Sequence, residues 1–341
     1  MTGNSEAVIA GAIASVAPWV DTVLVIDTGV TDKSLQIARD IAGGKLVVRG
    51  FPWIDDFAAA RNFALAASHE TGADWAVMVD TDETIDLGGV DARAAIESAA
   101  VPHLMLSHES GTYSQARFFR LPAVGKYVGP THEAYAPYVG GAEPLEGAVF
   151  RDKPKTETQT RAKAERDVRV LRAHILQHPD EPRWLYYLGD ALQVLGRLDE
   201  AIETYRARAD RRGWAEESAW ACYRMAECYC GQGRWAQAVD ACASGLARHA
   251  GIGELAWLAG YASFKGGESQ QAVWWARQAI ALGCYAGCGP QVRRTLFRYP
   301  FGLYEGPYNV LHFALKTLGD EVGAADADRL RLLAIAARTQ T

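Results

Sequence analysis

A pair of small residues twelve positions apart occurs three times in the second half of this sequence, as Gly189 and Ala201, Ala226 and Ala238, and Gly260 and Ala272. No other feature limits the fold as much. Successive copies are offset by 37 and then 34 residues, and a similar turn precedes each alanine: GRLDEA, GRWAQA and GESQQA. Small residues at two fixed places let paired helices approach closely. Each copy therefore predicts a helical hairpin that must stack on the next to bury its apolar face. Leu188, Tyr205, Tyr229 and Ala279 fall on further positions of the pattern, and a looser fourth copy, GDEVGA, ends at Ala324. A generic helical bundle would account for the apolar spacing but not for the period.

Ahead of the repeats, strands alternate with helices. The spacing predicts a helix over 7–17 with Asn4 or Ser5 as cap, a buried strand over 20–26 ending at Asp27, and a helix over 34–42,. A short strand over 46–48, a helix over 57–68 and a strand from Trp75 follow. Such alternation predicts an α/β domain with a mostly parallel sheet and helices on both faces. From 104 to 135 the pattern changes to short strands and turns, an antiparallel extension, and 145–150 reads as one more strand. The segment RDKPKTETQT, 151–160, has no apolar residue and one proline, so it reads as a linker,. The expected organisation is an α/β domain over 1–150, the linker, and an all-α repeat domain over 161–341.

The net charge of -6 argues against nonspecific binding to nucleic acid or anionic membrane,. No apolar run approaches the roughly 18 residues of a membrane span. Met1 to Glu6 contain no basic segment leading an apolar core, which together suggests a cytoplasmic protein,. Cys222, Cys228, Cys230, Cys242, Cys284 and Cys288 lack paired CxxC spacing and read as reduced core thiols,.

The chemistry is expected around WAVMVDTDETID, Trp75 to Asp86. An apolar strand stops there at Asp80, Thr81 and Asp82, and ligand crevices of parallel sheets lie at the strands' carboxyl ends,. Strand alternation would point Asp80 and Asp82 to one side, where two hard oxygen ligands suit magnesium or manganese. With 41 acids in 341 residues, about five acid-x-acid triplets arise by chance, so a solvated acidic turn is the competing reading,. Asp27, opening DTGVTD, could accept from a base or ribose of a nucleotide, or simply make a turn. Arg61, on the otherwise apolar helix FAAARNFAL, needs a partner: a diphosphate, or Asp55 or Asp56. His132 could complete the metal site, and Glu133 could accept a proton from a hydroxyl. Taken singly, each also has a structural reading.

In order, DTGVTD, FPWIDDFAAARNFAL, DWAVMVDTDE, YVGPTHE, a linker and repeats of tetratricopeptide period resemble glycosyltransferase family 2 enzymes of bacterial type, with a GT-A fold and a helical repeat tail. The resemblance covers nearly the whole chain, and WIDDFAAARN is its most specific part. It implies that Asp27 contacts the nucleobase and that Arg61 lies near the diphosphate. It makes Asp80 and Asp82 the DxD pair, Asp80 toward the ribose and Asp82 on the metal, with Thr81 on the donor side. His132 and Glu133 are its HE pair near donor phosphates and acceptor. The family also has a strand ending in a Lys-Asn-Glu-like segment. Here Asn4, Ser5 and Glu6 stand at that end and the strand itself is missing, which implies a misplaced start, a trimmed chain or an incomplete donor site. Where relatives often carry a histidine after the last strand, this chain reads FRDKP and departs from the pattern, and Asp152 is not taken as a substitute ligand.

The reading that follows is a metal-dependent (Mn2+ or Mg2+) inverting glycosyltransferase. It moves a sugar from a nucleoside diphosphate sugar, a UDP-sugar first, to a protein or peptide acceptor presented by the repeats. Glu133 is the base, Asp27, Arg61, Asp80 and Thr81 hold the donor, and Asp80, Asp82 and His132 hold the metal. The alternative is a non-catalytic repeat-based adaptor with a degenerate transferase domain; a third reading is a nucleotidyltransferase. The aromatics Trp184, Tyr186, Tyr187, Trp220, Trp257, Trp274 and Trp275 line a groove or fill the helical core. Arg293, Arg294 and Arg298 would receive an anionic acceptor or face solvent, and the repeat face could equally make a homodimer.

Overall fold

The computed structural model describes residues 1–111, 113–283 and 299–339, and the chain divides into two compact units, Met1–Gln159 and Thr160–Thr341. In the first unit, α1 (Ile9–Val16), β1 (Val23–Asp27), α2 (Ser34–Ala42) and β2 (Leu46–Gly50) follow one another in the expected order, but neither Asn4 nor Ser5 caps α1, whose N-cap is Val8 with no side-chain hydrogen bond. β1 and β2 pair in parallel, and Ile9, Ile13, Val23, Val25, Ala38 and Ala42 join α1, β1 and α2 in one buried cluster. α3 (Phe57–Glu70) begins where the Asp56 carboxylate accepts from the Ala59 N–H at 2.8 Å, an N-cap that satisfies one of the helix's orphan donors,.

The rest of the unit comprises β3 (Trp75–Val77), β4 (Glu83–Asp86), α4 (Ala92–Ser98), β5 (His103–His108), β6 (Ser114–Arg120), β7 (Lys126–Val128), β8 (Ala134–Ala136) and β9 (Glu143–Asp152). Five strands form one sheet in the order β3-β6-β5-β9-β4. The pairs β3–β6, β5–β6 and β4–β9 are antiparallel, and β5–β9 is parallel. β7 and β8 form a separate antiparallel pair. The α/β class holds, but the sheet is not mostly parallel as expected. The apolar run of β3 does not mark a central parallel strand: β3 is half-buried at the edge of the sheet, and its neighbour is the antiparallel β6.

Of the strand that the resemblance implies ahead of Asn4, the chain carries Thr2. It makes a parallel bridge to Asp27, donating to Ile26 O at 2.8 Å and accepting from the Thr28 N–H at 3.0 Å. Residues of α1, β1 and β3, among them Ile13, Val23, Val25, Trp75 and Val77, line a cavity of about 650 Å³.

The second unit is helical throughout its described residues: α5 (Glu157–Gln177), α6 (Arg183–Val194), α7 (Leu198–Ala209), α8 (Ala215–Gly231), α9 (Trp235–Arg248), α10 (Gly253–Lys265), α11 (Ser269–Leu282), α12 (Pro300–Leu303), α13 (Glu305–Thr317) and α14 (Glu321–Arg338). The repeat positions fall on the paired helices α6–α7, α8–α9 and α10–α11, and Ala201, Ala226, Ala238 and Ala272 are each 0% exposed. Gly189 shows why the position must be small: a Cβ there would lie 2.5 Å from the Tyr205 ring of α7. The fourth copy is the pair α13–α14, with Ala324 buried.

Trp184, Tyr186, Trp220 and Trp257 belong to the buried core of this unit, and Tyr187 and Trp275 pack against it. Trp274 alone of the seven is largely exposed, at 54%. Cys222, Cys228 and Cys242 are buried free thiols and Cys230 is half-buried. Burial pushes Cys228 and Cys230 up to about 12, so they are protonated and inert at neutral pH,. Cys284, Cys288, Arg293, Arg294 and Arg298 lie outside the described residues. The stretch read as a linker is shorter than its composition suggests. β9 runs to Asp152 and α5 starts at Glu157, whose acidic side chain suits a first turn,. Among the described residues, no helix is long and apolar enough to cross a membrane.

Candidate functional site

Arg61 is the one charged residue on the buried face of α3, 8% exposed among Ala58, Ala60, Ala64 and Leu65. A buried guanidinium must be paired. Its Nη2 donates to the two Asp80 oxygens at 2.7 and 2.8 Å, its Nε donates to Glu133 Oε1, and the group lies 5.4 Å from the centre of the Tyr127 ring. The neighbours suggested by the sequence are used elsewhere: Asp56 caps α3, and Asp55 accepts from the Trp53 indole N–H at 2.9 Å. Arg61 thus gathers an acid 19 positions away and one 72 away. Burial pushes the Asp80 carboxyl up, but the Arg61 charge and hydrogen bond, with Arg117, overcome that and hold it well below the usual carboxylate range.

Asp80 and Asp82 are not on a strand. β3 ends at Val77 and β4 starts at Glu83, and the Glu83 N–H bonds back to Asp80 O at 3.0 Å, so Asp80 to Glu83 is a turn and strand alternation does not orient the two acids,. The same turn buries Glu83, whose Oε1 accepts from Arg117 at 2.5 Å and whose Oε2 accepts from the Asp80 N–H at 3.1 Å. Arg117 also approaches Asp80 at 3.9 Å and lies over the Phe150 ring at 4.4 Å. Burial and the Asp80 charge push the Glu83 carboxyl up to about 7, against the pull of Arg117. That value would suit proton transfer, but both oxygens are engaged and the side chain is 8% exposed, so Glu83 and Arg117 clamp the turn,. Neither residue stands out as functional in the sequence. The available signal is an arginine inside the apolar strand QARFFR, a residue that cannot be buried unpaired,.

Asp82 lies at the more open side of the turn. Lys155 Nζ sits 2.7 Å from its Oδ2, and the Lys153 N–H donates to Asp82 O at 2.8 Å. Lys155, from the segment read as a linker, is therefore part of the site. Among the described residues, Asp80, Asp82 and His132 do not form a set whose ligand atoms all lie within 4.8 Å of one another. A protein cage of those three does not fit the geometry. Asp82 alone could ligate a magnesium or manganese ion, because such ions are bound through one or two carboxylates and keep their other positions for water and phosphate. Lys155 would then have to give way.

The remaining candidates occupy neighbouring loops. Asp27 Oδ1 accepts from the Gly29 and Val30 N–H groups at 2.9 and 2.8 Å, closing the turn that Gly29 makes at φ 111°. The Asn4 side-chain oxygen accepts from the Thr31 N–H at 2.8 Å, and the Ser5 N–H donates to Ser34 Oγ at 2.8 Å, so the chain's first residues brace the DTGVTD loop. Ser5 Oγ lies 3.4 Å from Thr81 Oγ1. His132 holds a left-handed backbone, φ 50°, uncommon for a residue with a side chain and typical of functional loops,. It immediately precedes Glu133. Apart from Arg61, Glu133 has no hydrogen-bond partner among the described residues, which leaves Oε2 able to accept.

Residues 1–90 match the model of a family described as glycosyl transferase family 2. Over 207 residues the chain is 31% identical to a TPR repeat-containing protein of Synechococcus elongatus, an alignment covering 55% of this chain and 50% of that protein. The chain thus spans about half the length of the curated relative it matches. Among solved structures it is similar to MamA at 16% identity and a TM-score of 0.42, covering 55% of this chain and 99% of that one. It is also similar to the TPR-like repeats of a kinesin light chain from Podosopora anserina at 17% identity and a TM-score of 0.41, covering 54% and 90%.

Proposed function

From a chain that joins a glycosyl transferase family 2 segment to tetratricopeptide-type repeats, we propose a metal-dependent inverting transferase that moves a sugar from a nucleoside diphosphate sugar, a UDP-sugar first, to an acceptor hydroxyl. The observation that carries this reading is the double engagement of Arg61, which holds Asp80 and Glu133 on one buried cation. Transfer needs a cation where the diphosphate leaves and a carboxylate where the acceptor loses its proton, and Arg61 links the two.

In this reading the acceptor oxygen attacks the anomeric carbon from the face opposite the diphosphate. The bond from that carbon to the phosphate oxygen breaks, and the electron pair leaves with the diphosphate. The acceptor proton passes to Glu133 Oε2, while Arg61 fixes the orientation of that carboxylate through Oε1. A metal bound at Asp82 would supply Lewis-acid stabilisation of the leaving diphosphate. Lys155 and Arg61 are the chain's own cations for the same charge, and fixed charges aimed at developing charge lower a barrier most. Asp27 and Thr81 complete the donor site, and the repeats hold a protein or peptide acceptor.

Incubation of the chain with UDP-, GDP- and CDP-sugars and manganese, followed by product analysis, tests the reaction type. Release of a nucleoside diphosphate from one donor is expected, by slow hydrolysis when no acceptor is supplied. In a parallel incubation with nucleoside triphosphates and a sugar phosphate, release of pyrophosphate would instead make the chain a nucleotidyltransferase.

A further inference from the structure

At the carboxyl end of α5, His174, His178 and Glu181 come together with ligand atoms all within 4.8 Å of one another, the one such set of three among the described residues. Three local features place them. The His178 N–H donates to His174 O at 2.9 Å, continuing the helical ladder by one residue and stacking the two imidazoles with centroids 4.4 Å apart. The turn after Pro179 then returns the chain, the Glu181 N–H bonding to His178 O at 3.2 Å. The Trp184 indole N–H, from a side chain only 3% exposed, donates to Glu181 Oε2 at 2.6 Å and fixes that carboxylate against the repeat core.

We propose that His174, His178 and Glu181 bind a zinc-class divalent cation, with water in the fourth position. Four ligands about 2.1 Å from zinc in a tetrahedron are about 3.4 Å apart. His174 Nε2 already lies 3.4 Å from Glu181 Oε2; His178 Nδ1 lies 3.8 Å from the other oxygen, Oε1, and one ligand atom from each of the three residues falls within 4.8 Å of the others. The residual closure falls on His178 and Glu181, whose side chains are each 48% exposed and free to adjust. Imidazoles select zinc, nickel and copper over magnesium, which sets this site apart from the oxygen chemistry at Asp82. The indole donor acts as an outer-shell orienter of the ligand, and the carbonyl end of a 21-residue helix favours a cation,. Bound metal would tie the end of α5 to the entry of α6, closing the first helical hairpin of the repeat unit.

Calorimetric titration of the full chain with zinc chloride, and separately with magnesium chloride, tests this. One zinc per chain is expected, with magnesium silent at these residues. His178→Ala and Glu181→Gln, both at exposed positions, should each weaken zinc binding at least about tenfold. Zinc should also raise the melting temperature of the parent chain but not of His178→Ala. The proposal is overturned if the folded parent chain takes up no zinc at about 100 times a micromolar dissociation constant, or if both variants bind zinc as the parent does.

Discussion

Replacing Arg61 with methionine lowers the unfolding free energy of the amino-terminal unit by about 3–5 kcal/mol, the cost of leaving buried charges without their partner. Two acids are affected, because Asp80 and Glu133 both rely on this guanidinium, and Glu133 is as buried as Arg61 itself, each side chain being 10% exposed. Hydrogen exchange of the α3 amides reads the loss locally, which matters in a chain of two units where a single transition is not assured. Adding Asp80→Asn to the methionine variant should recover part of the loss in a double-mutant cycle, since it removes one stranded charge. The parent protein carries the same interaction in its pH profile. Asp80 titrates below its unfolded value, so its contribution to stability is present above about pH 3.8 and is lost as the pH falls through the folded value,. A loss below about 1 kcal/mol in the methionine variant would mean that the ion pair behaves as a solvated one.

Asp82→Asn should have the opposite profile: little effect on folding and a large effect on transfer. Its side chain is 32% exposed and it pairs with Lys155, itself 42% exposed, so the pair contributes at most about 1 kcal/mol to stability,. In the proposed reaction turnover, by contrast, should fall by about 10³-fold or more, because the asparagine would remove the anionic ligand proposed for the metal. Circular dichroism and turnover measured on the same sample separate the two effects. Retained turnover with an unchanged metal requirement would remove Asp82 from the reaction.

These two positions show what is legible in the sequence. The helices around them are readable because their signals are local. Asp56 caps α3 just ahead of Phe57, and α2 occupies 34–42 as its spacing requires. The repeats are readable for a different reason. Small residues twelve apart, recurring after 37 and 34 residues, are what stacked helical hairpins demand, and the zero exposure of Ala201, Ala238 and Ala272 is the physical basis of that demand. The site residues are individually visible, but their arrangement is not. Partners 19 and 72 positions away leave no periodic trace, so the sequence offers Arg61 only a diphosphate or the nearby Asp55 or Asp56, and those two acids are satisfied within their own loop and helix cap. The alternation argument for Asp80 and Asp82 fails because β3 stops at Val77 and a turn follows. Strand direction is not legible, because an apolar run such as that of β3, half-buried at a sheet edge, does not require a parallel neighbour. Lys155 escapes notice because a stretch without apolar residues reads as a linker whether or not one of its cations folds back onto an acid.

The central claim is that the loops around Arg61 form a working donor site. Titration calorimetry of the chain against UDP, GDP and CDP, each with and without manganese, tests it most directly. One nucleoside diphosphate, UDP first, should bind with a clear dependence on manganese, and Arg61→Met and Asp82→Asn should both weaken that binding. A folded chain that binds none of the three, with or without metal, would contradict it and leave a repeat-based adaptor as the better reading.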